Sequence, residues 1–172
     1  AIVTDMGVHP DEAMQRTAEM TRDKNRTPMQ WSNNPNGGFS PSGVNTWLPV
    51  NPNYKDGINV KDQQHNPNSL FNYYKHILRV RKNSPALIEG EYLPLQSTAK
   101  DYFAFLRITS GQTVLVVLNF SEQSLDLDFS RTQEIKGRSL HVVFSSAVRS
   151  STDLIPKKLH IGAFEVFIAE VK

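Results

Sequence analysis

The chain has 172 residues, an apolar share of 38%, and 19 basic against 17 acidic residues. A complete (β/α)8 barrel needs about 200 residues or more, so this length excludes one. The basic residues are scattered rather than arranged in a stripe that would follow phosphates, so we expect no nucleic-acid partner. No apolar run approaches the roughly 18 residues of a membrane span, and we expect no membrane insertion.

Cysteine is absent, which excludes a disulfide framework and thiolate metal sites and favours a cytoplasmic location. The five histidines, at positions 9, 65, 76, 141 and 160, lack the spacing of metal ligands. We therefore expect neither a metal nor another cofactor. The start at Ala1 has neither an initiator Met nor the pattern of a secretory signal, and we interpret it as a position inside a longer protein.

The first third of the chain predicts one helix followed by a long connection. Pro10 and the two acidic residues after it predict a peripheral helix over residues 10–21. Residues 22–66 are rich in Asn, Pro and Gly, and a connection of that length is typical of a lid or wall at a functional site. Its large apolar residues include Met29, Trp31, Phe39 and Trp47. We expect these side chains to be buried in an ordered wall.

The clearest helical pattern covers residues 67–83. Asn66 and Pro67 suit the cap and the first helical position, and Pro85 predicts the end of the helix. Apolar residues recur at spacings of three and four, at Leu70, Phe71, Tyr74, Ile77 and Leu78. We interpret this stripe as a core face that lies against a sheet or a barrel wall.

Beyond Pro85, apolar residues alternate in short runs that predict an all-β region. The predicted strands cover residues 91–96, 101–108, 112–120, 124–129, 139–145 and 163–170. Ser110-Gly111 and Ser121-Glu122 predict hairpin turns. Short antiparallel strands without helices between them favour a small β-sandwich. The chain is thus predicted to be the tail of an α/β domain joined to an antiparallel sandwich.

Five blocks of sequence, in order, carry a resemblance to a known family. They read RDKNRTPMQW from Arg22 onward, then NGGFS, WLPVNPNY, INVKDQQHNPNSLFNYY and LRVRKNSPALIEGEY. These blocks resemble the C-terminal part of glycoside hydrolase family 13, in its α-glucosidase and oligo-1,6-glucosidase branch, whose relatives include sucrose isomerases and trehalose synthases. The run TVLVVLNFSEQ resembles the C-terminal β-domain of the same branch.

The resemblance implies a division into two domains. Residues 1–87 would be the C-terminal part of a catalytic (β/α)8 barrel, with the connection after the eighth strand and the last helix, and residues 88–172 the C-terminal β-sandwich. The three catalytic carboxylates of the family lie on earlier strands, and no segment here matches their surroundings. We therefore expect no catalytic residue in this chain and no glucosidase activity from it alone.

The resemblance also implies which residues meet the substrate. Arg26 would reach the terminal glucose, because a guanidinium offers five fixed donors to vicinal hydroxyls and to a carboxylate. A salt bridge within the loop is the alternative role for this side chain. Arg22 and Asp23 are expected to brace the loop. Gln30, Trp31 and Phe39 are candidates for the pocket wall or its support, with simple packing as the alternative.

For the whole protein, the resemblance implies a retaining α-glucosidase that releases glucose from short α-glucosides such as maltose or isomaltose. Glucosyl transfer or isomerisation, as in trehalose synthases or sucrose isomerases, is an alternative that depends on residues upstream. A non-catalytic chain that binds sugar or a partner through the β-sandwich is a third hypothesis. The expected partners are short α-glucosides and the remainder of the barrel.

Overall fold

The computed structural model describes residues 7, 9–12, 14–15, 25–95, 99–149 and 152–172. The chain divides into two compact units, residues 1–73 and 74–172. Positions 10–12 and 14–15 are helical, in agreement with the predicted first helix, and the rest of that predicted range lies outside the described residues. In the part of the chain that is described, no helix has the length and apolar character needed to cross a membrane.

The first unit contains more regular structure than the predicted loop. Two 3-10 turns cover Pro35–Gly38 and Pro52–Asp56, and a short helix, α1, covers Val60–His65. Helix α1 forms inside the predicted loop because the Asn59 side chain caps it, accepting a hydrogen bond from the backbone N–H of Asp62 at 2.9 Å. The loop is therefore built from short turns that are held locally.

The second helix, α2, covers Leu70–Lys82, within the predicted range 67–83. Its predicted start was wrong, because Asn66 ends α1, and the hydroxyl of Ser69 accepts from the N–H of Asn72 at 3.2 Å. Pro85 does not simply stop a helix but opens another, α3 (Pro85–Glu89). The hydroxyl of Ser84 caps α3, accepting from the N–H of Leu87 at 3.3 Å.

The apolar stripe of α2 is mostly exposed in this chain, so the predicted burial is wrong for Leu70, Tyr74 and Leu78 as far as the described residues go. Leu70, Tyr74 and Leu78 are exposed to 66%, 62% and 58%. Helical spacing shows that one face is apolar, but it does not show what covers that face. Phe71 and Ile77 of the same stripe are half-buried, so the described residues cover the stripe only in part.

After α3, the described part of the second unit contains eight antiparallel strands. They are β1 (Glu91–Leu95), β2 (Tyr102–Ile108), β3 (Thr113–Asn119), β4 (Leu125–Leu127), β5 (Leu140–Ser145), β6 (Asp153–Leu154), β7 (Leu159–Ile161) and β8 (Val166–Val171). Six of them form one sheet in the order β1-β2-β3-β8-β5-β6, and β4 pairs with β7. The six predicted strands are confirmed, with ends within a few residues. Strands β6 and β7 were missed because two or three residues are too short for a readable alternation.

The core of this unit lies between the two sheets. Alternate residues of the large sheet, such as Leu115, Val117 and Phe167, are buried together with Leu159 and Ile161 of β7. The Ser110-Gly111 turn is confirmed, since the N–H of Thr109 bonds to the carbonyl of Gln112 at 2.8 Å and joins β2 to β3. The Ser121-Glu122 hairpin was wrong, because β4 pairs with β7 rather than with β3.

A buried carboxylate fastens β8 to β5 and to the turn before β8. Glu165 is 3% exposed, and one of its oxygens accepts from the hydroxyl of Ser145 at 2.6 Å and from Nε of Arg149 at 2.9 Å. The other accepts from the N–H of Gly162 at 2.7 Å. The guanidinium of Arg149 also lies 4.5 Å over the ring of Phe167. A buried charge is tolerated only with such partners.

Replacing Glu165 with Ala is therefore expected to lower the free energy of unfolding by about 3 kcal/mol, since it leaves the Arg149 guanidinium without its carboxylate in a largely buried place. Urea denaturation monitored by circular dichroism measures the change. Glu122→Ala, at an exposed position, is the control and should shift stability by less than about 0.5 kcal/mol. Equal stabilities of the two variants would contradict this role of Glu165.

Candidate functional site

Residues 25–32, here called the arm, lie in the first unit, and the backbone of residues 30–32 is hydrogen-bonded on both edges. On one side the N–H groups of Trp31 and Ser32 donate to the carbonyl of Gly37 at 2.8 and 3.0 Å. On the other side the carbonyls of Gln30 and Trp31 accept from the N–H groups of Val60 and Lys61, both at 3.0 Å. The second half of the arm is thereby fixed between a turn and the start of α1.

The side chain of Gln30 adds a further tie. Its amide nitrogen donates to Oδ1 of Asn53 at 2.8 Å and to the carbonyl of Ile58. Both partners belong to the segment that precedes α1, so the amide links the arm to its own supporting loop. The side-chain amide nitrogen of Gln30 is therefore bonded to the loop before α1.

The turn that holds the arm requires unusual backbone angles. Asn36, Gly37 and Gly38 have φ values of 55°, 66° and 69°, a region that favours glycine. A Cβ at position 38 would lie 2.6 Å from the hydroxyl oxygen of Ser32, so a side chain there would force the Ser32 hydroxyl to move. Asn36 tolerates this conformation, and its amide donates to Ser40 Oγ, Pro41 O and Val44 O at 3.0, 3.1 and 2.9 Å.

Large side chains project outward from this fixed backbone. The exposed apolar residues of the loop include Met29, Trp31, Phe39 and Trp47, at 50%, 51%, 47% and 68%. Their predicted burial was wrong. The interior of the loop is filled by amide side chains that satisfy backbone groups, and a segment this thin has no space for a separate apolar core.

The structure places the remaining candidate residues as follows. Arg26 is exposed on the arm, on the N-terminal side of Trp31. Arg22 and Asp23 lie outside the described residues. Phe39 lines a shallow cleft of about 430 Å³ with Pro35 and Pro41. The arm and this cleft therefore belong to one unit and share its fixed backbone.

This arrangement suits a polyhydroxylated ligand. An exposed guanidinium supplies several directed donors, and aromatic rings present flat apolar faces. Because the backbone at Trp31 and Phe39 is held by hydrogen bonds, little backbone entropy is lost there when a ligand or a neighbouring protein surface covers these rings. Among the described residues no group of three His, Cys, Asp or Glu side chains could hold a metal ion.

Two amide residues of the site were not singled out from the sequence. Asn59, 3% exposed, donates to the carbonyl of Tyr54 at 2.8 Å and to the carboxylate of Asp62 at 2.6 Å. Asn36 organises the turn described above. The only signal for either residue was the high frequency of Asn in the segment, and frequency does not show which Asn faces inward.

Comparisons with known proteins agree with this architecture. Residues 1–90 match the family model of the α-amylase catalytic domain, and residues 94–168 match that of the maltogenic amylase C-terminal domain. The first of these models matches more than half of the chain. The chain therefore belongs to the α-amylase family of glycoside hydrolases, with helices and a loop of the catalytic barrel followed by the antiparallel β-domain.

Individual members of this family are similar to the chain in sequence and in structure. The chain is 37% identical over 122 residues to an oligo-1,6-glucosidase of Parageobacillus thermoglucosidasius. This alignment covers 71% of this chain and 21% of that enzyme. Among solved structures, an isomaltulose synthase mutant from Erwinia rhapontici NX5 in complex with sucrose superposes with a TM-score of 0.81 at 31% identity, over 99% of this chain and 29% of that one. The trehalulose synthase from Pseudomonas mesoacidophila MX-45 has a TM-score of 0.81 at 28% identity, over 96% and 28%. The chain thus spans about a fifth to three tenths of the length of these relatives.

Loss of the Gln30 side-chain amide should increase local opening of the backbone between the arm and α1 without unfolding the remainder of the chain. Gln30→Ala removes two hydrogen bonds, so amide exchange at Val60 and Lys61 is expected to accelerate about ten-fold. Hydrogen–deuterium exchange with peptide-level mass spectrometry of the 172-residue chain measures it. Asn45→Ala, at an exposed position of the same unit, should leave the rate unchanged. Unchanged exchange in the Gln30 variant would show that the backbone bonds suffice.

Proposed function

We propose that this chain is the C-terminal part of a retaining α-glucosidase that removes terminal glucose from short α-glucosides such as maltose or isomaltose. The proposal is supported above all by the arm, whose backbone is hydrogen-bonded on both edges at residues 30–32 while Trp31, and Arg26 earlier in the arm, stay exposed. Ordered backbone under uncovered aromatic and cationic side chains is the pattern expected of a wall that a ligand or another part of the protein covers.

In this proposal Arg26 is the residue that meets the sugar. Its guanidinium would donate to neighbouring hydroxyls of the terminal glucose and pair with a carboxylate from the remainder of the barrel. Such a contact closes the far side of the glucose, which suits removal of one unit at a time. Trp31 and Phe39 would form the wall, Gln30 would brace it, and Arg22 and Asp23 would support the loop.

The catalytic acids would come from the remainder of the protein. Retaining hydrolysis needs one carboxylate as nucleophile and a second carboxyl group as acid and base, about 5 Å apart on opposite faces of the bond. We propose that residues 1–87 complete the barrel, that residues 88–172 form the supporting β-domain, and that the 172-residue chain alone is inactive. The exposed stripe of α2 would then lie against other barrel elements. The absence of cysteine supports a cytoplasmic location for the whole protein.

Replacing Arg26 with Ala in the full-length protein should lower kcat/KM for p-nitrophenyl α-glucoside between about ten-fold and a hundred-fold, because charge-assisted bonds to the glucose are lost. Steady-state kinetics of the purified enzyme measures the loss. Arg138→Ala removes the same kind of side chain at an exposed position of the β-domain and should leave the kinetics unchanged. Undiminished hydrolysis by the Arg26 variant would remove this residue from the site.

A second candidate is supported by the solved structures named above, an isomaltulose synthase and a trehalulose synthase. In such a reaction the glucosyl group moves to a sugar hydroxyl instead of water. The full-length protein incubated separately with maltose and with sucrose distinguishes the two candidates. Free glucose from maltose, with no rearranged disaccharide from sucrose, would favour hydrolysis, whereas a sucrose isomer as the main product would favour rearrangement.

A further inference from the structure

The turn that holds the arm contains Asn36-Gly37, the one Asn-Gly pair in the sequence. Asparagine before glycine loses its side-chain amide readily without an enzyme, because glycine has no Cβ to shield its backbone nitrogen. That nitrogen attacks Cγ of the asparagine and a C–N bond forms, while the side-chain nitrogen takes up the displaced proton and leaves as ammonia. Water then opens the cyclic imide at either carbonyl, which gives aspartate or isoaspartate.

The backbone of the folded turn holds the two reacting atoms apart. Ring closure requires the nitrogen of Gly37 to lie on the same side of the Cα–C bond as Cβ of Asn36. Asn36 has φ 55° and ψ 27°, so the Gly37 nitrogen is nearly eclipsed with the backbone nitrogen of Asn36 and lies away from Cβ. Rotation about ψ would break the bond from the N–H of Phe39 to the Asn36 carbonyl, 3.1 Å long, and would displace the buried Gly37. The reaction therefore requires the turn to open.

The side chain of Asn36 is held in place as well. Its amide nitrogen donates to Ser40 Oγ, Pro41 O and Val44 O at 3.0, 3.1 and 2.9 Å. These bonds fix the position of Cγ and engage the nitrogen that would leave. Since one hydrogen bond changes an equilibrium about five-fold, several together should lower the population of the open turn at least about ten-fold.

Conversion of Asn36 to an acid removes the donors on which the turn depends. A carboxylate only accepts hydrogen bonds, so it would face the carbonyl oxygens of Pro41 and Val44 with no proton between them. Isoaspartate also lengthens the main chain by a methylene at a place where φ is positive. The carbonyl of Gly37, which accepts from the N–H groups of Trp31 and Ser32, would then lose its fixed position.

We propose that Asn36 is a modification site, at which the folded turn suppresses spontaneous deamidation and at which deamidation irreversibly releases one edge of the arm. The reagent is water, and no enzyme or cofactor enters the reaction. Each opening of the turn, by heat or by denaturant, gives the reaction a chance to proceed, so the ability of the arm to return to its folded state declines with time spent open. The inference concerns the loop backbone and does not depend on the sugar reaction of the whole protein.

Incubation of the 172-residue chain in mildly alkaline buffer, beside a synthetic peptide of residues 33–40, tests the suppression. Peptide mapping by mass spectrometry follows the change from amide to acid at Asn36, and electron-based fragmentation separates aspartate from isoaspartate. The peptide should react at least about ten-fold faster than the folded chain. Equal rates in the two samples, or no reaction in the peptide, would overturn the proposal.

A pair of serine variants tests the part played by the side-chain bonds. Ser40→Ala removes one of the three acceptors of the Asn36 amide and should accelerate deamidation of the chain about five-fold. Ser42→Ala removes the same group from an exposed position of the same loop and should leave the rate unchanged. Equal rates in the two variants would show that the acceptors do not protect Asn36.

The release of the arm is tested with the product itself. Asn36→Asp should accelerate amide exchange at Trp31 and Ser32 at least about ten-fold, as measured by NMR. Asn45→Asp introduces the same charge at an exposed position of the loop and should not change it. The protected amide of Val117 in the β-domain reports whether each variant is still folded.

Unchanged exchange at Trp31 and Ser32 in the Asn36→Asp variant would overturn the release. None of these measurements includes a sugar. Failure of this inference would therefore leave the role proposed for Arg26 intact, and undiminished hydrolysis by the Arg26 variant would leave the chemistry of Asn36 intact.

Discussion

In the described part of the chain, amide side chains hold the backbone at several places where regular hydrogen bonding is missing. In the loop, Asn36 bonds to three acceptors and Asn59 joins the carbonyl of Tyr54 to the start of α1. Asn119 does the same in the β-domain, where its amide donates to Gln123 O at 2.7 Å and Gly162 O at 2.8 Å. Because an unpaired buried backbone group costs about 1–3 kcal/mol, these few side chains decide whether the long loop has one shape.

An ordered loop with its aromatic residues outside has a direct consequence for function. The amides occupy the interior, so Trp31, Phe39 and Trp47 remain on the surface and present a large apolar area. Exposed patches of this kind mark places where a ligand or another protein surface binds. The exposed stripe of α2 presents a second such area. Both fit a chain that spans about a fifth of the length of the oligo-1,6-glucosidase it resembles.

The β-domain buries its apolar residues more completely than the loop does. Its two sheets enclose an apolar core, and Glu165 ties β8 to Ser145 and Arg149. Its outer sheet face is covered in part by α2 and α3, which leaves a cleft between Val80 and Val114.

The sequence alone determined the family, the helix α2 and six of the eight strands, because motif blocks and the periods of apolar residues are local properties. It also predicted that the loop is ordered, from the large apolar residues within it. Only the tertiary structure decided that these residues and the stripe of Leu70, Tyr74 and Leu78 are exposed, since burial depends on what lies opposite a face. The roles of Asn36, Asn59 and Gln30, and the cleft beside Val80, likewise required the folded chain, because they depend on contacts between residues that are distant in sequence.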